Sequence, residues 1–179
     1  MDIRPTIQLA AVIKAMQDIV LPAVDPGNKM AQEQARLAIA TLQFVVQRLP
    51  LMFRYDRDEL DRYLGLARAL LTRSEGGRAT GEAAANLATS VAAGADVLKR
   101  AKAEPAELEG AIFELRQTVG ELIQSAYGDA RPASLAAIRR LVLDSSKVQL
   151  DRERGWVLTM GFEPNPSVVT PVEQQLQNR

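Results

Sequence analysis

Four X-Pro steps mark where helices are expected to start in this chain. Arg4-Pro5, Asp25-Pro26, Glu104-Pro105 and Arg131-Pro132 each put proline where a first helical turn tolerates it, because the N–H it lacks has no intrahelical partner there. Asp25 adds a side-chain acceptor suited to an N-cap, so a second helix is expected from Pro26. Two further starts come from other signals. Asp56-Arg57-Asp58-Glu59 has acceptors at a cap and three residues on, the pattern of a capping box that opens a third helix. Thr80 follows the Gly76-Gly77 break as the expected cap of a fourth.

Between these marks apolar residues recur at three- and four-residue steps, which gives each segment one stripe for a shared core. The first carries Leu9, Val12, Ile13, Met16 and Val20, and the second Ala35, Ala38, Ile39, Leu42, Val45, Val46 and Leu49 before Pro50 ends it. The third offers Leu60, Tyr63, Leu64, Ala67 and Leu71. On the fourth, Ala84, Leu87, Ala88, Val91, Ala95 and Leu98 are mostly small and invite close approach of a neighbour. Leu108, Ile112, Leu115, Val119, Leu122 and Ala126 alternate steps of four and three on the fifth, the seam of bundle packing. The sixth carries Leu135, Ile138, Val142, Ser145, Val148 and Trp156, with Gly161 as a left-handed stop after Met160. Short connections favour antiparallel neighbours. The expected fold is therefore all-α: a single-domain up-and-down bundle of about six helices over residues 1–162. An extended, proline-containing C-terminal tail follows over residues 163–179.

Composition restricts the chemistry more sharply than the fold. The chain contains no histidine and no cysteine. That removes histidine triads, thiolate nucleophiles, zinc sites built on these ligands and the Glu-x-x-His pairs of di-iron bundles. No cofactor is expected. Lys plus Arg equals Asp plus Glu at 22 each, so no overall field draws a polyanion or an anionic membrane, and neither nucleic acid nor membrane is an expected partner. Met1-Asp2-Ile3-Arg4-Pro5 lacks a signal peptide's basic flank, and Lys14 and Asp18 interrupt the first apolar stretch. The longest apolar run, Leu37 to Val46, reads as a buried core helix rather than a membrane span. A cytoplasmic location follows as the expectation, and the absence of cysteine fits it.

Polar groups that could form a site fall into two clusters. Around the second turn, Arg48, Arg54 and Tyr55 stand beside Asp56, Arg57, Asp58, Glu59, Asp61 and Arg62. Arginines near a helix start can hold a phosphate or carboxylate, although the acidic residues here also read as first-turn charges pairing with Arg57 and Arg62 on the surface. The other cluster is Gln32, Glu33, Gln34 and Arg36, just inside the second helix, with Asp18 and Asp25 close in sequence. Burial of Glu33 or Asp18 would tune its carboxylate for proton transfer, although a Glu-Arg pair three residues apart also reads as an ordinary surface interaction. Glu107, Glu114 and Glu121 read as a solvated stripe, and Asn86 and Gln43 as residues that fix packing register. The primary expectation is a non-catalytic interaction or accessory protein that self-associates through helix faces and the C-terminal tail. The alternative is a binder of small anionic ligands, or an enzyme, that uses Asp18, Glu33, Arg36, Arg48, Arg54 and Tyr55 between helices.

Overall fold

A computed structural model describes residues 4–100 and 102–177. Met1-Asp2-Ile3, which bear on the signal-peptide reading, and the last two residues of the tail lie outside that range. The described chain is all-α, with six long helices and one isolated backbone bridge, Gly76 with Ala130. Helix α1 comprises Pro5–Ala15, a π-helical turn Met16–Val20 and Leu21–Ala23. Then come α2 (Lys29–Arg48), α3 (Met52–Leu71), α4 (Arg78–Lys99), α5 (Pro105–Asp129), α6 (Pro132–Val157) and a last turn, α7 (Val172–Gln175). The helices form two compact units, residues 1–52 with 154–175 and residues 53–153 with 176–179.

In the first unit α1 packs on α2. The π turn has a local cause. Pro22 has no N–H to give the Asp18 carbonyl and its ring crowds that carbonyl, so the ladder widens and Leu21 N–H bonds Met16 O instead. Helix α2 starts three residues later than expected. Asp25 spends its carboxylate on Gly27 N at 2.8 Å, and Asn28 is the cap, accepting from Ala31 N at 3.0 Å. The Leu37–Val46 run is also not a buried core helix: Ile39 and Arg48 are the buried residues of α2, while Leu37 and Val45 face outward. Arg48 clasps the unit together. It lies between the rings of Phe44 and Trp156, each 5.5 Å away, and donates to Trp156 O at 2.7 Å, Thr159 Oγ1 at 3.2 Å and Glu173 Oε1 at 2.6 Å.

Helix α6 gives way to a 3₁₀ turn, Leu158–Met160, that stops at Gly161 with φ +78°, as its glycine implied. The segment beyond is not extended throughout. A 3₁₀ turn (Pro166–Val168) and α7 fold it, and Val169, Val172 and Leu176 are buried. Gly155 permits this return, since a Cβ there would stand 2.6 Å from Thr170 O. Arg154 grips Glu163 through both carboxylate oxygens, at 2.9 and 3.0 Å, and holds that carboxyl below its usual range.

The second unit contains the main core. Leu60, Leu64, Ala67 and Leu70 of α3 meet Ala83 and Leu87 of α4, the whole predicted seam of α5, and Ile138 of α6. On α4 the buried line is Thr80, Ala83, Leu87, Ser90 and Gly94, one residue round from the expected stripe. Ala88 is exposed, as are Asn86 and Gln43, which therefore set no packing register. Gly94 lets α4 come close, because a Cβ there would meet Leu115, Leu64 and Leu60 at 3.3 to 3.5 Å.

Thr80 is not the cap of α4. Gly77 takes that position, and the capping carboxylate comes from the end of α5: Asp129 accepts from Ala79 N at 2.8 Å, Thr80 N at 3.1 Å and Thr80 Oγ1. The Thr80 hydroxyl, then these amides, hold the Asp129 carboxyl below its usual range. A lowered folded-state value stabilises the fold above the unfolded pKa, and the benefit disappears as pH falls through the folded one. Asp129→Asn is therefore expected to lower Tm at pH 7, with the gap to wild type narrowing as a pH series of thermal melts descends below pH 4. Gly76 is required beside this cap, since a Cβ would stand 2.8 Å from the Ala130 Cα.

Candidate functional site

The most unusual chemistry in the second unit is a cluster of charges taken out of water. Helix α3 begins at Met52, a full turn before the expected Asp56 start, after a 3₁₀ turn at Leu49–Leu51. Asp56, Asp58 and Glu59 are therefore not first-turn caps. The added turn carries Tyr55, Asp58, Glu59 and Arg62 on round to the interior, and these side chains are buried or nearly so.

Helix α6 answers with Gln149 and Arg152, one turn apart, and α5 with Arg116. Arg62 Nε donates to Asp58 Oδ2 at 3.0 Å and Arg62 Nη1 to Gln149 Oε1 at 2.6 Å. Arg152 pairs with the same Asp58 oxygen, and Arg116 with Glu59. Gln149 Nε2 reaches Glu153 Oε1 at 2.8 Å and Glu59 Oε1 at 3.4 Å. Arg116 Nε donates to Tyr63 Oη at 3.1 Å, and its guanidinium lies 5.2 Å from the Tyr63 ring and 5.9 Å from that of Phe113. The buried Nη2 of Arg62 has no hydrogen-bond acceptor among the described residues. Arg62, Arg116 and Arg152 face Asp58, Glu59 and Glu153, so the cluster as a whole is neutral. Burial, then the charge of Glu59, pushes the Tyr55 hydroxyl above its usual range, and the same two causes in the same order raise Asp56.

Beside this cluster α3, α5 and α6 enclose a cleft of about 340 Å³. Arg62, Tyr63, Arg116, Gln149 and Glu153 make its polar end. Leu66, Val119, Ile123, Val142 and Leu150 are its apolar lining, with Gly120, Ser145 and Ser146 as its small residues.

The residues singled out in the sequence are not brought together as one site. Asp18 is exposed and pairs with Lys14 at 2.7 Å along α1. Glu33 and Arg36 are exposed on α2, 4.0 Å apart, and line a shallow recess with Lys29 and Gln32. Arg48 is buried, with all three guanidinium nitrogens engaged inside the first unit. Arg54 donates to Leu176 O at 2.8 Å. Tyr55 belongs to the buried cluster, where the Arg152 guanidinium lies 5.9 Å from its ring. Asp58 and Arg62 do pair, but in the interior rather than on the surface, and Arg57 donates instead to Leu98 O at 3.0 Å.

Gln149 and Arg152 went unnoticed in the sequence, yet their signal was present. Continuing Ile138, Val142 and Ser145 by steps of four and three leads to Gln149, Arg152 and Trp156, whereas Val148, the expected choice, is half exposed. A polar pair in phase with an apolar stripe marks a buried polar contact. Among the described residues no three Asp or Glu side chains converge as a metal site. The carboxylates of the cluster pair with guanidinium and amide groups: Asp58 with Arg62 and Arg152, Glu59 with Arg116, and Glu153 with Gln149. Comparison with protein-family models, with curated proteins and with solved structures finds no match for this chain.

Proposed function

We propose that this chain is a non-catalytic, self-associating interaction protein whose contact surface is α1 with the outer face of α2, and whose partner there is a second copy. The observation that carries this reading is that α1 has no buried residue. Leu9, Ile13 and Met16 are half-buried on the side toward α2, while Ile7, Val12, Ile19 and Val20 remain exposed, Ile19 at 69%. On α2, Met30, Leu37 and Val45 are exposed as well. An exposed apolar surface of this extent marks a contact site.

A second copy fits for two reasons. A two-helix hairpin is half of a four-helix bundle, and an isologous contact between two hairpins completes one. The charges also allow it: the molecule is neutral overall, and Lys14 and Asp18 neutralise each other within α1. The C-terminal segment is a weaker candidate for such a contact, because Val169, Val172 and Leu176 are already buried in their own chain. The absence of cysteine fits work in a reducing cytoplasm.

One observation favours a second reading. Pro5–Ala23 is long and apolar enough to enter a membrane by length and composition. Against it stand Lys14 and Asp18, since a single charge at the bilayer centre costs about 2.5–3.5 kcal/mol on insertion scales.

Light scattering coupled to size exclusion, from 1 to 100 μM, tests both. The wild-type chain should exceed its 19.6 kDa monomer mass. Ile19→Glu should return it to monomer by weakening association at least roughly a hundredfold, because a two-fold contact counts the change twice. Leu143→Glu, on α6, should leave the mass unchanged. A wild-type monomer throughout, or dimers that survive Ile19→Glu, would overturn the proposal. Flotation of the wild-type chain with neutral vesicles would select the membrane reading instead.

A further inference from the structure

The cleft between α3, α5 and α6 plays no part in that association, and its own chemistry is specific. The geometry points to a binding site for a small amphiphilic monocarboxylate, with its carboxylate on Arg116 and its apolar body along Val119, Ile123, Val142 and Leu66. The volume, about 340 Å³, lies at the lower end of the roughly 300–1,000 Å³ of small-molecule sites and is too small for a docked helix.

Three observations select this class of ligand. The first is Arg116. Its Nε and Nη2 are fixed by Tyr63 and Glu59, and its plane is held beside the Tyr63 and Phe113 rings. Its Nη1 makes no hydrogen bond to any described residue. A guanidinium oriented on one edge and open on the other is preorganised for an anionic oxygen. The second is the lining beyond that polar end: Leu66, Val119, Ile123 and Val142 give an apolar wall that suits a hydrocarbon body.

The third is Gly120. Glycine inside a helix costs about 1 kcal/mol relative to alanine. Gly94 has a packing reason, whereas a Cβ at Gly120, as at Gly65, Gly81, Gly110 and Gly128, would meet nothing within 4 Å; of these five, Gly120 is the one that lines this cleft. The space over it is the cleft, continued across α6 by Ser145 and Ser146, so the apolar walls are separated by a floor of small residues.

Gly120 also supplies the test, because a large side chain there fills the cleft while improving helix propensity. Calorimetric titration of the full chain would compare decanoate, decanol and decyltrimethylammonium, all below their micellar concentrations. Decanoate should bind, decanol at least tenfold more weakly, and the cation not measurably. Gly120→Leu should weaken decanoate at least tenfold with Tm equal to or above wild type. If that variant does not fold, Ser146→Leu blocks the same space from the exposed side of α6. Ile19→Glu should leave decanoate binding intact, which separates this site from the apolar surface of α1. Equal affinity for decanoate and decanol, undiminished binding to the cleft-filled variant, or loss of binding with Ile19→Glu would each overturn the assignment.

Discussion

Asp58→Ala is expected to destabilise the protein by about 3–5 kcal/mol, enough to unfold a large fraction of molecules under mild denaturant. The size follows from what the carboxylate holds. Asp58 Oδ2 is the shared partner of Arg62 and Arg152, and all three side chains are close to nine-tenths buried or more. Removing it leaves two guanidinium charges out of water without their anion, and each can regain solvation only if the helices part. Urea denaturation followed by circular dichroism measures the loss. A triple replacement sharpens the interpretation: Asp58→Leu with Arg62→Met and Arg152→Met removes the carboxylate together with both guanidiniums it holds and should cost less than the single change, while Arg116, Glu59 and Glu153 keep their charges. If Asp58→Ala costs less than about 1 kcal/mol, water reaches the cluster freely and the helices are not closed over it.

The second large effect is in the apolar core, where Gly94 of α4 faces Leu115 of α5. Leu115→Ala is expected to cost about 3–5 kcal/mol by the same assay. Leu115 is fully buried, and its Cδ1 would stand 3.3 Å from a Cβ on Gly94, so its methyls occupy the room that glycine leaves. Truncation opens a cavity that a helix pair fixed along its whole seam cannot collapse. Adding atoms at the same place should also hurt, although less. Gly94→Val pushes against Leu115, Leu64 and Leu60, with an expected cost of about 1–3 kcal/mol from overpacking.

These two sites differ in how legible they were. The α5 seam from Leu108 to Ala126 is buried residue for residue as its spacing implies, because a long helix with apolar neighbours on one side has a single way to face a core. The starts of α5 and α6 at Pro105 and Pro132 were equally plain. Where a long-range partner competed with a local one, local reasoning failed. Asp129 caps α4 across 49 residues of sequence, and so displaces Thr80 from the role its position suggested. Asp58 and Glu59 resembled first-turn caps only because the turn from Met52 to Tyr55, which carries few cap signals, is helical too.

The candidate sites followed the same division. Reading acidic and basic neighbours as surface pairs is sound when both point to solvent, but it cannot see Gln149 and Arg152 arriving from a helix 90 residues away. Arg48 was visible as a charge at the end of an apolar helix. Its partners Trp156, Thr159 and Glu173 are more than 100 residues further along the chain.

Amide hydrogen exchange at two protein concentrations tests the self-association of α1 most directly. At 100 μM the amides of Pro5–Ala23 should be protected, and at 1 μM they should exchange rapidly, while those of the α5 seam keep the same protection at both concentrations. Rapid exchange of α1 at every concentration, or protection that does not change on dilution, would contradict a second copy as its partner.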